Sequence, residues 1–419
     1  MNEIIKGDPS VGPTGVSRSG WVGQLVRKRQ PGPSRMGHVQ DAALRSLHEA
    51  TRAVHSGSFD DPATGAVGTP IYQTSTFILG EEQYRAVEEG YARDRFIYTR
   101  YGNPSQWAVQ EKLAALEGAE SALVFASGMA AISASVLALL DKGAHIVASD
   151  ELYGGTYNLF HHELPSLGFT VSYVSPRDAA AVQAAMQPNT MLLYFEAMTN
   201  PLLKVVDVAA LAEVARAGGA RLMVDATFVT PLGCRPLELG ADMVVHSCTK
   251  YLNGHSDLVA GVALGSRKLM DMVWPRLLAF GGCLDPHACF LLERGLKTLA
   301  VRMRAHQEGA YKVAQFLSKH PRVRKTLYPG LASHPDHPLA KRMLRNTGGM
   351  VSFNVASDAQ ALALLRSSPH ARSDEPGRRR DADKPAVQHL ARRVHRGSAC
   401  ASGHRAGLRA PVGGHRAPR

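Results

Sequence analysis

A carboxylate and an amine, 25 residues apart, each follow a short apolar run and could do chemistry together. One run ends at Asp225, and the other is followed by Ser247, Thr249 and Lys250. Short apolar runs flanked by glycine-containing turns and helical patterns predict buried parallel strands. Ligands of open α/β sheets bind beyond the carboxyl ends of such strands, so we expect these side chains to face one crevice.

This set of residues suits pyridoxal phosphate (PLP). The Lys250 amine can form a Schiff base with an aldehyde, and the hydroxyls of Ser247 and Thr249 can donate to a phosphate. Asp225 can keep a pyridine nitrogen protonated, so that the ring withdraws electrons. Taken alone, Asp225 is better explained as a turn cap and Lys250 as a surface amine, and only the combination favours the cofactor.

Residues 224–231 and 247–255 resemble the signatures of the transsulfuration (Cys/Met metabolism) family of PLP enzymes. That family comprises cystathionine γ-synthases, γ-lyases and β-lyases and the homoserine-ester sulfhydrylases. The resemblance covers about residues 51–366, with Ala226 standing where the family usually has Asn. It implies PLP as cofactor, a small amino-acid substrate, and a homodimer or homotetramer whose subunits share active sites.

The resemblance also assigns phosphate-binding residues. Tyr98 and Arg100 match a pair that reaches from one subunit into the neighbour's phosphate site, and a guanidinium suits that task because it is a planar donor of several hydrogen bonds. Gly128 and Met129 follow a predicted strand and open a predicted helix. Free backbone N–H groups at such a helix start bind anions, and the family directs these two amides at the phosphate.

The resemblance assigns two residues to the cofactor ring and gives one indication of the branch of the family. Tyr153 matches the tyrosine that stacks on the pyridine ring, close to the reacting centre, and Asn200 matches the donor to its phenolic oxygen. Gly155 stands where methionine γ-lyases have Cys, which argues against that branch. Lys250 and Tyr153 are therefore the expected catalytic residues, and no metal ligands are expected.

The fold we expect is an α/β, aspartate-aminotransferase-like domain with a mostly parallel seven-stranded sheet flanked by helices. An N-terminal arm precedes it and a smaller C-terminal α/β domain follows. Apolar runs predict further strands at 123–126, 146–148, 191–195, 258–264 and 350–355. The expected segments are a disordered extension at 1–40, an arm contributing to the neighbouring subunit's site at 41–105, a PLP-binding domain at 106–295, a partial C-terminal domain at 296–367, and a basic tail at 368–419.

Composition limits the other classes of function. With 419 residues, 45% of them apolar, the chain can build a large core. Its net charge of +12 comes from residues 1–35 (+4) and 366–419 (+9), which leaves −1 for the remainder. No aromatic residues interleave with the charges of these tails, so we expect no nucleic-acid partner, although a basic-tail binder remains the third alternative.

Compartment follows from three features of the sequence. No apolar run reaches 18 residues, so we expect no membrane span, and the N-terminus lacks the order of a signal peptide. The five cysteines are odd in number and never spaced C-x-x-C, which fits reduced thiols in a cytoplasmic protein.

The sequence changes character near residue 367. Apolar periodicity stops, and the family's Ser-Leu-Gly turn and Leu-Arg-Leu-Ser-Val-Gly strand, whose Arg binds the substrate carboxylate, are missing. Codons for residues 375–382 and 409–416, read one base later, permit Ser-Leu-Gly-Gly-Val-Glu-Thr-Leu and Val-Arg-Leu-Ser-Val-Gly-Ile-Glu. We therefore predict that a frameshift replaced the authentic C-terminus.

The expected reaction is γ-replacement or γ-elimination on homoserine esters or cystathionine. Two alternatives remain open: β-elimination by a cystathionine β-lyase, or a catalytically impaired PLP-binding protein that lacks the carboxylate-binding Arg. The sequence does not separate γ-synthase, γ-lyase and sulfhydrylase.

Overall fold

The computed structural model of this chain describes residues 46–367 except 59, 60, 62 and 91. The expected disordered extension at 1–40 and the basic tail at 368–419 lie outside these residues, as does the beginning of the expected arm. The domain boundaries stay a prediction.

A seven-stranded sheet forms the centre of the larger unit. Its strands lie in the order β1-β7-β6-β5-β4-β2-β3. The strands are β1 (Ser121–Phe125), β2 (His145–Ser149), β3 (Thr170–Val174), β4 (Thr190–Glu196), β5 (Arg221–Asp225), β6 (Met243–Ser247) and β7 (Gly261–Gly265). Only β7 runs against its neighbours β1 and β6, so the expected mostly parallel sheet is confirmed.

Both faces of the sheet are buried. Along β5, Leu222 and Val224 pack into one hydrophobic cluster, whereas Met223 between them packs into the other. Side chains of a strand alternate between faces, so a continuous apolar run is what a strand covered by helices on both sides requires. Each such side chain contributes about 1.5–3 kcal/mol when fully buried.

Helices connect the strands and cover the sheet. They are α1 (Glu49–His55), α2 (Glu81–Glu88), α3 (Pro104–Glu117), α4 (Gly128–Leu139), α5 (Gly154–Asn158), α6 (Leu164–Ser166), α7 (Ala179–Ala184), α8 (Val208–Ala217), α9 (Thr230–Gly233), α10 (Arg267–Phe280), α11 (Pro286–Leu296), α12 (Leu299–Lys319), α13 (His337–Met343) and α14 (Asp358–Ser367). Short 3-10 helices occupy Ala92–Asp94 and Pro236–Leu239, and a π-helical turn occupies Leu159–Glu163.

The chain divides into two compact units. Among the described residues, the larger comprises those up to Ala314 together with Leu327–Val351, and the smaller comprises Gln315–Thr326 and those from Ser352 onward. The smaller unit is built around the two-stranded sheet of β8 (Val323–Leu327) and β9 (Ser352–Val355), with α14 packed on β9.

Most expected elements are present, with shifted ends. The strand expected at 258–264 begins only at Gly261, and the one expected at 350–355 begins at Ser352. The edge strand β3 was not expected, because its residues are only partly buried and include polar ones that weaken the apolar pattern.

Candidate active site

The carboxyl ends of five strands meet at one edge of the sheet. Because β7 is antiparallel to both β1 and β6, β1 points the same way as the parallel strands β2, β4, β5 and β6. The segments beyond these ends enclose a cavity of about 450 Å³, within the usual size of a small-ligand site. Its lining residues are Ser127, Gly128, Met129, Ile132, Tyr153, Glu196, Met198, Asn200, Asp225, Thr227, Phe228, Ser247, Thr249, Lys250, Val259 and Met350.

Eight of the ten predicted site residues line this cavity: Gly128, Met129, Tyr153, Asn200, Asp225, Ser247, Thr249 and Lys250. The other two, Tyr98 and Arg100, lie elsewhere. Arg100 donates to the Leu278 carbonyl at 2.9 Å, and its guanidinium lies 5.8 Å from the centre of the Tyr98 ring, which is 41% exposed. Their expected place in a neighbouring subunit's site stays a prediction.

The start of α4 forms the anion-binding end of the cavity. Ser127 caps this helix, and its hydroxyl accepts from the Ala130 amide at 3.0 Å, which leaves the amides of Gly128 and Met129 without a partner inside the helix. Gly128 is packed so tightly on Ser247 that a Cβ at position 128 would lie 2.8 Å from the Ser247 Cβ. The absence of a side chain therefore lets the helix start approach the end of β6.

Thr249 stands beside this cradle but is already engaged. Its hydroxyl donates to the Ala260 carbonyl at 3.2 Å and accepts from the Ala260 amide at 3.0 Å. These bonds hold the segment after β6 against the segment that leads into β7. Both segments contribute walls of the cavity, through Lys250 and Val259.

Asp225 ends β5 with its carboxylate held from two sides. Oδ1 accepts from the Thr227 amide at 2.9 Å, and Oδ2 accepts a longer bond of 3.4 Å from the Tyr194 hydroxyl. Burial raises the pKa of the Asp225 carboxyl, while the bonds from Thr227 and the nearby His246 act in the opposite direction. A protonated pyridine nitrogen placed beside it would favour the ionised form and offset the cost of burial.

Glu196 joins the two residues expected to contact the cofactor ring. One of its oxygens accepts from the Tyr153 amide, and the other accepts from the Asn200 amide at 3.2 Å. The Tyr153 ring folds over Gly155, where a Cβ would lie 2.7 Å from ring carbon Cε1 and 3.0 Å from the sulfur of Met129. Gly155 thus provides the space that the ring occupies.

The residues present fit PLP. The cavity is lined by a lysine amine, a helix start with free amides, and a partly buried carboxylate whose raised pKa favours a cationic partner. A ring aldehyde, a phosphate and a pyridine nitrogen are the groups of PLP that these three features would bind.

Sequence reasoning missed the contacts of Glu196, Thr227 and Tyr194. Glu196 ends the apolar run of β4 just as Asp225 ends that of β5, and this parallel was a usable signal. Thr227 accepts from the Ser247 amide at 2.8 Å through its hydroxyl, linking the ends of β5 and β6. Nothing in the sequence marks Tyr194, which lies inside an apolar strand.

Two histidines near the lysine have protein partners. The His246 Nε2 atom lies 3.0 Å from a carboxylate oxygen of Glu117, with both side chains buried, and His255 Nδ1 lies 2.7 Å from the Asn253 carbonyl. Across the described residues, no group of three or more His, Cys, Asp and Glu side chains could hold a metal ion. None of the helices between residues 46 and 367 has the length and apolar composition that crossing a membrane requires.

Comparison with known proteins shows the family. The sequence profile described as "Cys/Met metabolism PLP-dependent enzyme" matches residues 50–369. A probable cystathionine gamma-synthase of Herpetosiphon aurantiacus is 45% identical over 322 residues, which cover 76% of this chain and 97% of that protein. A cystathionine beta-lyase of Coxiella burnetii is 43% identical over 75% of this chain and 80% of its own length, and other relatives of similar identity are named L-methionine gamma-lyase and cystathionine gamma-lyase.

A solved structure has the same fold. The crystal structure of metB from Corynebacterium glutamicum superimposes with a TM-score of 0.73 at 37% identity, covering 78% of this chain and 83% of that one. The chain therefore belongs to the Cys/Met metabolism family of PLP-dependent enzymes, and it is an enzyme of sulfur amino-acid metabolism whose cofactor is PLP.

Proposed function

We propose that this member of the Cys/Met metabolism PLP family catalyses γ-replacement or γ-elimination on homoserine esters or cystathionine. The observation that carries the proposal is the convergence of Lys250, Asp225 and the start of α4 on one cavity. The relative named cystathionine gamma-synthase, at 45% identity, supports the γ-reaction. Gly155, in the position where methionine γ-lyases have Cys, argues against the methionine γ-lyase branch.

The residues divide the work of binding and proton transfer. Bound PLP supplies an electron sink for charge that develops at the substrate Cα. Asp225 would keep the pyridine nitrogen protonated, and Asn200 would donate to the phenolic oxygen. The amides of Gly128 and Met129 would hold the phosphate together with the hydroxyl of Ser247, and Thr249 would donate to it only by giving up its bond to the Ala260 carbonyl.

Lys250 is the base of the proposed reaction. The free Lys250 amine would remove the Cα proton, and Tyr153 would assist near the substrate amino group. A γ-reaction also requires a proton to leave Cβ, and in this proposal Lys250 would move that proton as well. A β-elimination requires only the first of these two proton transfers.

We further propose that a second copy completes the site through Tyr98 and Arg100. Among the described residues that line the cavity, Lys250 is the one Lys or Arg, and it is consumed by the cofactor aldehyde, whereas Glu196 and Asp225 are acidic. A phosphate dianion in this cavity would therefore find no free cation among the described lining residues, and an Arg from a neighbouring copy would supply one. A homodimer, or a homotetramer of two such pairs, satisfies this requirement.

The compartment we propose is the cytoplasm. The four cysteines in the described part of the chain, Cys234, Cys248, Cys283 and Cys289, are all free thiols. Free thiols are the usual state of cysteine in a reducing compartment.

The C-terminal frameshift also remains a proposal. The family profile ends its match at residue 369, next to the position where apolar periodicity stops. Loss of the carboxylate-binding Arg would leave a chain that binds PLP but orients substrate poorly, at a cost of about a hundredfold in rate. The nucleotide sequence tests the frame, and turnover of a frame-restored version tests the rate; equal rates would refute the second claim.

The reaction itself is tested by visible absorbance and product analysis. PLP-loaded protein receives O-succinylhomoserine with a thiol or sulfide in one assay, where release of succinate with formation of the new C–S bond indicates γ-replacement. Cystathionine alone is added in the other assay. Cysteine with 2-oxobutanoate indicates the γ-reaction, whereas homocysteine with pyruvate indicates β-elimination, which the Coxiella relative makes the second candidate. Bound cofactor without turnover of either substrate would favour a catalytically impaired PLP-binding protein.

A further inference from the structure

Arg302 lies outside the cavity yet holds the backbone that carries Lys250. Residues 248–254 form a compact turn, here called the lysine turn, closed by bonds from the Asn253 amide to the Cys248 carbonyl (3.0 Å) and from the Gly254 amide to the Lys250 carbonyl (2.8 Å). Arg302, in the first turn of α12, donates hydrogen bonds to backbone carbonyls of this turn.

The guanidinium of Arg302 bonds two carbonyls of the lysine turn. Nη1 donates to the Tyr251 carbonyl at 2.7 Å, and Nη2 donates to the Leu252 carbonyl at 3.3 Å. These two carbonyls belong to the residues directly after Lys250. Partly buried carbonyls that lose their donor are costly, so this pair of bonds fixes the turn.

The same guanidinium ties the turn to two helices. Nη2 also donates to the carbonyl of Gly295, near the end of α11, at 2.8 Å, and Nε donates to the Thr298 hydroxyl at 3.0 Å. A planar group with donors in a fixed fork can make all four bonds together, which a lysine ammonium cannot do.

Gly254 provides the space for this arrangement. A Cβ at position 254 would lie 2.0 Å from Nη1 and 2.5 Å from Cζ of Arg302, and the residue has φ +76°, which favours glycine. On the other side of the turn, the Tyr251 ring lies edge-on to His306 at 5.2 Å, and a Cβ at Gly349 would lie 3.0 Å from its hydroxyl. The lysine turn is therefore held on two sides, by Arg302 through its backbone and by Tyr251 through its ring.

We propose that Arg302 is a positioning residue, which holds the lysine turn so that the Lys250 amine meets the cofactor aldehyde. It is not among the residues that line the cavity, and it would act through the carbonyls of Tyr251 and Leu252. The proposal rests on the proposed function, because it assumes that Lys250 bonds PLP.

The experiment measures how fast and how tightly PLP couples to Lys250 in the full chain. Coupling is followed by visible absorbance, then trapped with borohydride, and the labelled lysine is identified by peptide mass. Arg302→Met should couple about tenfold more slowly and bind PLP about tenfold more weakly, because the turn that presents the amine is released. Arg304→Met, which removes an exposed guanidinium two residues along the same helix, is the matched control and should behave as wild type.

Two milder variants keep the test decisive if Arg302→Met does not fold. Arg302→Lys should stay close to the Met variant, since one ammonium cannot replace the fork. Thr298→Val removes the acceptor for Nε together with the bond from the Thr298 hydroxyl to the Gly295 carbonyl at 3.1 Å, and should slow coupling about twofold to threefold. A thermal midpoint measured without PLP separates folding from positioning, because a purely structural Arg302 would lower the midpoint and leave coupling by folded protein unchanged.

The outcomes distinguish this inference from the proposed function. If wild type couples PLP at Lys250 and folded Arg302 variants couple equally fast, Arg302 has no positioning role. Full restoration of coupling by Arg302→Lys would also overturn the inference, since charge alone would then suffice. If wild type does not couple PLP at Lys250, the proposed function fails before Arg302 is tested.

Discussion

The charged groups at the two ends of strand β5 differ in whether the protein supplies an ion-pair partner. At the start of the strand, Arg221 Nη1 lies 2.7 Å from Asp242 Oδ1, and the other oxygen of Asp242 accepts from the Leu222 amide at 2.9 Å. At the end of the strand, Asp225 faces the cavity, and among the side chains that the structure describes no Lys or Arg forms an ion pair with it.

This difference indicates which end of the strand carries a charge that a bound ligand could neutralise. The Arg221–Asp242 pair is partly exposed and neutralises itself, and such pairs contribute about 0–1 kcal/mol. Asp225 is held ready by Thr227 and Tyr194 while burial raises its pKa, a cost that a cationic ligand atom would remove. A carboxylate without a Lys or Arg partner, in a cavity beyond the carboxyl ends of the strands, indicates a functional site.

The largest effect is expected from Lys250→Ala. Loss of the amine removes both the covalent attachment and the base, so turnover should fall about 10⁴-fold and borohydride should trap no PLP on the protein. Lys268→Ala is the matched control, because Lys268 lies beside Arg221 and Asp242 at the opposite edge of the sheet. Trapping of PLP on another lysine in wild type would break the comparison.

Asp225→Asn should lower turnover about a thousandfold, because a neutral amide cannot keep the pyridine nitrogen protonated. Asp242→Asn makes the same chemical change at the other ends of the strands and should leave turnover unaltered. A steady-state assay of both variants with cystathionine measures the turnover. Similar losses of turnover in the two variants would show that the two edges of the sheet do not differ in function.

The pH dependence of stability should also depend on Asp225. Burial raises its folded-state pKa above the ordinary value of 3.8. Between these two pKa values, the folded state therefore holds a proton that the unfolded chain has released. The free energy of unfolding of the PLP-free protein should therefore fall as pH rises from about 3.8 through the raised pKa. Asp225→Asn should remove this part of the fall in denaturant titrations, and an unchanged pH profile would contradict the prediction.

Gly128→Ala should weaken PLP binding about tenfold, because the new methyl group would lie 2.8 Å from the Ser247 Cβ and push the helix start away from the phosphate. Gly309→Ala is the control, since a Cβ there meets nothing within 4 Å. That variant should keep the affinity of wild type and gain about 1 kcal/mol of helix stability. Equilibrium titration with PLP measures the affinities.

The smallest effect is expected from Arg221→Met. The free energy of unfolding should change by less than about 0.5 kcal/mol, and PLP affinity should be that of wild type. A loss of PLP affinity in this variant would show that a charge at the amino ends of the strands affects PLP binding at their carboxyl ends. The contrast between the two edges of the sheet would then be weaker.

The sequence was sufficient for the strands that carry the site. Short apolar runs ending at Asp225 and before Lys250 predicted β5 and β6, because strands buried on both faces have no room for polar residues until they end. The Ser-Gly turn before an Ala-rich run predicted the helix start at Gly128 for an equally local reason. The edge strand β3 escaped because partial burial weakens the pattern.

Other residues of the site could not be predicted, because their roles depend on partners that are distant in sequence. Glu196 bonds Tyr153 across 43 positions, and Arg302 reaches the Tyr251 carbonyl across 51. The signals at Tyr98 and Arg100 depend on a further step, since their proposed site lies in another copy of the chain.

By itself, then, the sequence determined which residue types stand at which strand ends, because burial and strand period act within a few residues. The tertiary structure decided which of those ends share a cavity and which side chains support them. Which ends share the cavity depends on strand order and on backbone groups brought together across tens of residues. A local sequence pattern predicts neither of these. The hydrogen bonds that hold the lysine turn exist only after the chain has folded.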